Sequence, residues 1–169
     1  YVFERGVVAY DSKTLDIVNN FFDWAKAHLW IEKKLSHDEE LRFIEKCTSF
    51  YYDKTFSRLK KYYSRFSVAD DQLTINNKST PSLEQMLRRT PWDILSHGKP
   101  GLFHGDLQFD NILELEGGGF KLLDWRQDFS GLIDYGDIYY DLAKLMHGLI
   151  ISHDIINDDL YSFDRSMNE

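Results

Sequence analysis

A chain of 169 residues in which 43% of side chains are hydrophobic and 15% aromatic can build a sizeable core, and it excludes disorder as the general state. The 28 Asp and Glu against 20 Lys and Arg leave a net charge of −8, the wrong sign for binding a phosphate backbone, which excludes nucleic acid as the principal partner. No apolar stretch approaches the roughly 20 residues of a membrane span, and the single cysteine, Cys47, excludes an internal disulfide and a Cys-rich zinc site.

The length fits one domain, or one lobe of something larger. Its first residues carry neither the basic start nor the apolar run of a secretory signal, so a cytoplasmic location is expected. There is no initiator Met either, and the expectation is a chain that begins inside a longer product. From Leu15, the residues Leu15, Val18, Phe21, Phe22, Ala25 and Leu29 recur at helical spacing. Ser36 followed by Glu39 reads as a capping box. It opens a helix with Leu41, Ile44, Thr48, Tyr51, Tyr52, Phe56 and Leu59 on one side. Cys47 falls on it as a buried structural thiol, and the run Arg58-Leu59-Lys60-Lys61 as a solvated face.

Asp70 to Ser79 is polar and Asn-rich and is expected as a mobile loop. Thr80-Pro81 then supplies an N-cap and a first helical position for a third helix. Character changes at the turn-rich connector Ser96 to Gly101. After it come Leu102-Phe103, a polar loop from His104 to Asn111, and two short apolar runs, Ile112 to Leu115 and Phe120 to Leu123. A Gly-rich turn joins those runs, which predicts a hairpin. A last helix is predicted from about Gly136 to Ile151, with Ile138, Leu142, Leu145, Met146 and Leu149 on one face. The class is therefore α+β, mainly helical.

The hairpin carries the chemistry. If Leu115 faces Phe120, then Ile112 faces Leu123 and Asn111 faces Asp124, with Cα atoms about 4.5–5.5 Å apart. An amide oxygen and a carboxylate at one point suit Mg²⁺, which takes few protein ligands and leaves the rest to water and phosphates. Asp106, five residues before Asn111, is then placed to accept a proton from an attacking hydroxyl. A base, an Asn and an Asp are the needs of phosphoryl transfer, whose chemistry is mostly positioning and charge neutralisation.

The run His104-Gly105-Asp106-Leu107-Gln108-Phe109-Asp110-Asn111-Ile112-Leu113, then Leu122-Leu123-Asp124, then Asp137-Ile138-Tyr139-Tyr140-Asp141-Leu142-Ala143, resembles the aminoglycoside phosphotransferase and choline kinase family. That resemblance implies the C-terminal lobe of a protein-kinase-like fold, with the hairpin carrying the metal site. It makes Asp106 the catalytic base, Asn111 and Asp124 the Mg²⁺ ligands, His104 the structural histidine of the catalytic loop, and Asp141 the helix carboxylate that holds this loop by its backbone amides. Residues 1–10 resemble a hinge, with Val2, Phe3 and Glu4 beside the adenine of ATP, and 11–169 the catalytic and substrate-binding lobe. Nothing before Asp106 supplies a phosphate-covering loop and its Lys, so the N-terminal nucleotide lobe of the same product is expected outside this sequence, and the fragment alone should be inactive.

Two departures from the protein-kinase pattern bear on the substrate. Gln108 stands where kinases acting on Ser or Thr carry Lys, and choline and ethanolamine kinases have Gln there. Asp124 is followed by Trp125-Arg126, with only about a dozen residues before the next helix, too few for a peptide-binding segment. A small hydroxyl compound is therefore expected as acceptor. Trp125, Asp128, Asp134, Tyr135 and Tyr139 could supply an aromatic and acidic pocket for a cation, and Arg126 could meet an anion. The run from Lys121 to His153 is also similar to kinase-like proteins of bacterial surface-polysaccharide assembly. The rivals are a non-catalytic module that binds nucleotide or a partner, and a metal-dependent phosphohydrolase built on His37-Asp38 and His153-Asp154, which nothing in the sequence brings together.

Overall fold

The computed structural model describes residues 6–8, 15–67, 69–151 and 153–162. They show an α+β chain of helices and small antiparallel sheets. They divide into two units, one drawn from Tyr1–Leu29, His104–Arg126 and Tyr139–Glu169, the other from Trp30–Phe103 and Gln127–Ile138. The change of character near residue 96 is therefore a change of local structure and not a boundary between units.

In the first unit, α1 (Leu15–His28) buries Phe21 and Ala25, with Leu29 just beyond its end, while Leu15 stays exposed. Phe21 and Trp24 meet the ring of Phe120 edge-on, at centroid distances of 5.1 and 5.8 Å. Aromatic pairs of this kind prefer edge contacts because the ring edge is positive and its face negative. Phe120 belongs to the hairpin of β5 (Ile112–Leu115) and β6 (Phe120–Leu122), and the strand β1 (Gly6–Val8) pairs with β5 on its other edge. The helix α6 (Ile138–Ile150) completes this part, burying Leu145 but leaving Met146 and Leu149 in solvent.

The hairpin register differs by one residue from the expected one. Ile112 pairs with Leu122, Leu113 with Lys121 and Glu114 with Phe120. The Gly118 N–H donates to the Leu115 carbonyl at 2.9 Å, and the Leu115 N–H to the Gly119 carbonyl at 3.1 Å. The connection is thus a three-residue loop, with Gly118 in the left-handed region at φ +85°. Leu115 faces Gly119 instead of Phe120, and Asn111 faces Leu123, whose N–H donates to the Asn111 carbonyl at 2.9 Å. Asn111 and Asp124 are therefore diagonal neighbours and not a directly opposed pair.

In the second unit, the Ser36 capping box forms as expected. The Ser36 backbone N–H donates to Glu39 Oε2 at 2.9 Å, and the Glu39 N–H to Ser36 Oγ at 3.5 Å. The helix it opens is interrupted: α2 (His37–Thr48) passes through a π-helical turn, Ser49–Asp53, into α3 (Lys54–Phe66). The buried face is Phe43, Cys47 and Phe50, whereas Leu41 and Tyr52 of the expected stripe are exposed. Phe50 stacks on Phe129 at 4.4 Å. Tyr51 donates its hydroxyl to the buried Asp137 carboxylate at 2.7 Å, which the altered phase of the π turn serves. Burial and the nearby Asp137 charge push the Cys47 thiol up to about 12, so it is an inert packing group.

Two further differences lie in this unit. The expected loop from Asp70 to Ser79 contains a hairpin, β2 (Leu73–Ile75) with β3 (Lys78–Thr80), turned by Asn76 and Asn77 at φ 50° and 61°. Asparagine tolerates that conformation better than most residues, which is why an Asn-Asn pair can make such a turn. Thr80 is thereby the end of a strand, and the N-cap of the following α4 (Leu83–Arg89) is Ser82, whose Oγ accepts the Gln85 N–H at 3.2 Å. After the short α5 (Trp92–Leu95), the connector forms β4 (Pro100–Gly101), paired with β7 (Gly136–Asp137). The helix α6 therefore begins at Ile138, two residues later than the spacing predicted, and a short helix α7 (His153–Asn157) follows it.

Candidate active site

The polar loop from His104 to Asn111 is tied to α6. The buried Asp141 carboxylate accepts the His104 N–H on Oδ2 and the Gly105 N–H on Oδ1, each at 2.7 Å. A buried carboxylate is costly unless donors meet it, and two consecutive amides meet both oxygens here. Gly105 sits at φ +83°, a conformation that glycine adopts at little cost.

His104 ties the same loop to the end of β6. Its Nδ1 accepts the Asp106 N–H at 3.2 Å, so the ring proton lies on Nε2, which donates to the Leu123 carbonyl at 2.7 Å. Both bonds require a neutral imidazole. Burial lowers the His104 pKa, more than its hydrogen bond to Leu123 and the charges of Asp106 and Asp124 raise it. The Trp125 ring lies 4.8 Å from the His104 ring, and the Arg126 N–H donates to the His104 carbonyl at 3.0 Å. The loop and the segment after β6 are thereby held together residue by residue.

Asn111 closes the loop. Its amide nitrogen donates to the Asp106 carbonyl at 2.8 Å, which leaves the amide oxygen as an acceptor. Asp124 follows β6 in the left-handed region, at φ 55°, and its exposed carboxylate has no hydrogen-bond partner among the described residues. Aspartate, like asparagine, tolerates that region better than most residues. An amide oxygen and an uncommitted carboxylate at diagonal positions are hard donors of the type that Mg²⁺ takes, so the donor chemistry fits that ion. Among the described residues no group of three or more His, Cys, Asp or Glu could hold a metal.

Asp106 is half-exposed, and both its recorded partners bind one oxygen. Oδ1 accepts from Lys144 Nζ at 2.7 Å and from Gln108 Nε2 at 3.2 Å. Partial burial pushes this carboxyl up, but the Lys144 hydrogen bond and charge, with help from Gln108, outweigh it and hold Asp106 below the usual carboxylate range. The carboxylate is thus ionised at neutral pH, as a proton acceptor must be. Lys144 is the site residue that the sequence reading missed. The signal was available: Lys144 lies three residues after Asp141, hence on the same face of the helix.

The residues singled out for substrate fall in different places. Trp125 and Tyr139 are in the first unit and exposed, as is Arg126. Trp125 donates its Nε1–H to the Leu122 carbonyl at 3.2 Å. Asp128 and Tyr135 are in the second unit. Asp128 accepts the Gly131 N–H at 3.0 Å, a turn-forming bond. Tyr135 is buried against Phe43 with the Lys33 ammonium 4.0 Å from its ring centroid, so its place is in the packing. Val2, Phe3 and Glu4, which the sequence suggested as hinge residues, lie outside the described residues.

The model of a family described as a phosphotransferase enzyme family matches residues 42–158, more than half of the chain. Neither a search of curated proteins nor one of solved structures gave a match.

Proposed function

The chain belongs to the phosphotransferase enzyme family, and on that premise we propose that it moves the γ-phosphoryl group of ATP to a hydroxyl of a small molecule. The placement of Asp106 carries the reading: an ionised, half-exposed carboxylate with Oδ2 uncommitted, on the loop that also sets Asn111 beside the strand leading to Asp124. Asp106 Oδ2 accepts the proton of the acceptor hydroxyl while its oxygen bonds to the γ-phosphorus. The bond from that phosphorus to the β–γ bridging oxygen breaks, ADP leaves, and the proton passes from Asp106 to solvent. Asn111 and Asp124 would hold Mg²⁺, which supplies charge neutralisation for the phosphates.

For the acceptor we favour an amino alcohol such as choline or ethanolamine, with a sugar or aminoglycoside as the second class, including a building block of a bacterial surface polysaccharide. Exposed Trp125 and Tyr139, both in the first unit, offer aromatic faces to a cation. A nucleotide-binding N-terminal lobe of the same product would cover ATP from the other side, in a cytoplasmic enzyme. Among the described residues no helix is long and apolar enough to cross a membrane.

Replacing Asp106 with Asn in the full-length protein should lower turnover about 10²–10⁴-fold, the usual share of a general base, and leave nucleotide binding nearly intact. Replacing Asp124 with Ala should weaken both turnover and Mg-ATP binding. Steady-state kinetics beside calorimetric nucleotide binding separate the two, and full activity in Asp106→Asn would refute the base.

A further inference from the structure

The loop from His104 to Asn111 contains no Lys or Arg, and His104 is neutral, yet a cation reaches its central carboxylate from another element. Lys144 of α6 places its ammonium 2.7 Å from Asp106 Oδ1, and the Gln108 amide donates to that same oxygen. Among the described residues nothing donates to Oδ2. A carboxylate with two equivalent oxygens can turn about its Cβ–Cγ bond and present either one. With Oδ1 met twice, turning breaks both bonds.

We propose that Lys144 is a positioning residue of phosphoryl transfer, locking the Asp106 carboxylate so that Oδ2 alone faces the incoming hydroxyl and offsetting its negative charge against the phosphates. This rests on Asp106 as the base. The pair is partly exposed, with side-chain accessibilities of 23% for Lys144 and 40% for Asp106. Ion pairs in such surroundings contribute little to stability, so the loss of Lys144 belongs in turnover and not in folding. The lock also gives Lys144 a reason to sit one turn after Asp141: one helix face holds both the backbone of the loop and its reactive side chain.

The test uses the full-length protein with Mg-ATP and water as the acceptor, read as released phosphate, so that no organic acceptor need be known. Misorientation of a reacting group costs on the order of 10²-fold, and that fall in kcat is expected for Lys144→Met, with the KM for Mg-ATP and the melting temperature unchanged. Lys144→Arg should retain most of the rate, and n-butylammonium should restore part of it to Lys144→Ala. Lys144→Gln, which keeps a donor and removes the charge, gives the same comparison if the methionine variant does not fold. An unchanged kcat in the charge-removing variants overturns the proposal, as does a loss that neither arginine nor the added amine relieves. Asp106→Asn, run in parallel, separates the two readings. If it hydrolyses ATP at the full rate, the base itself is wrong, whereas a slow Asp106→Asn beside a fast Lys144→Met removes only the role of Lys144.

Discussion

His104 accepts one backbone N–H and donates to one carbonyl, and only a neutral ring does both. Burial holds its folded-state pKa below the ordinary 6.5, so the unfolded chain takes up the proton more readily. The stability this contributes is complete above that value and is lost as pH falls from it towards the folded pKa. Thermal melts taken from neutral pH down to about pH 5 should show a falling midpoint, with a shallower fall in His104→Gln. Equal slopes in the two proteins would contradict the neutral imidazole. Asp141 makes a second prediction at this scale. Its two bonds to backbone amides are charge-assisted and buried, so Asp141→Ala should cost about 3 kcal/mol or more in urea unfolding, since each such bond contributes about 1.5–3 kcal/mol. A cost near that of a surface substitution would show that the loop is held by something else.

The hairpin shows what one glycine decides. With Gly118 at φ +85°, the turn closes in three residues and every pair downstream shifts by one. Gly118→Ala should cost about 1–2 kcal/mol, the penalty of a Cβ in the left-handed region, and should broaden the amide signals of Ile112 to Leu122 in NMR spectra. No loss of stability would mean that the loop adopts another turn. Elements with strong local signals were readable from the sequence: α1 from its apolar spacing, the start of α2 from Ser36 and Glu39, and the existence of the β5–β6 hairpin from its glycines. What depends on distant partners was not. The π turn at Ser49–Asp53 serves Phe129 and Asp137, which lie about eighty residues onward, and it moves the buried face to Phe43, Cys47 and Phe50. The Asn76-Asn77 turn was a local signal, but it was read as mobility. At the candidate site, the tie between the loop and Asp141 was visible as a pattern of residue types. The lysine that meets Asp106 was not, because an isolated Lys on an amphipathic helix looks like surface until the helix is seen against the loop.

At the scale of the chain, the loop from His104, Asp124 after β6, and Asp141 and Lys144 of α6 share one unit. The acidic balance of the chain agrees with an acceptor that is small and neutral or cationic and disfavours a polyanion. The proposed reaction transfers a phosphoryl group to a hydroxyl, and product mass tests it directly. Full-length protein with Mg-ATP would be given a panel of amino alcohols, sugars and aminoglycosides, with Asp106→Asn in parallel. The wild type should make one acceptor heavier by a phosphoryl group, and the variant should leave it unmodified. Nucleotide binding without any phosphorylated acceptor across the panel, and without ATP turnover that Asp106→Asn removes, would contradict it.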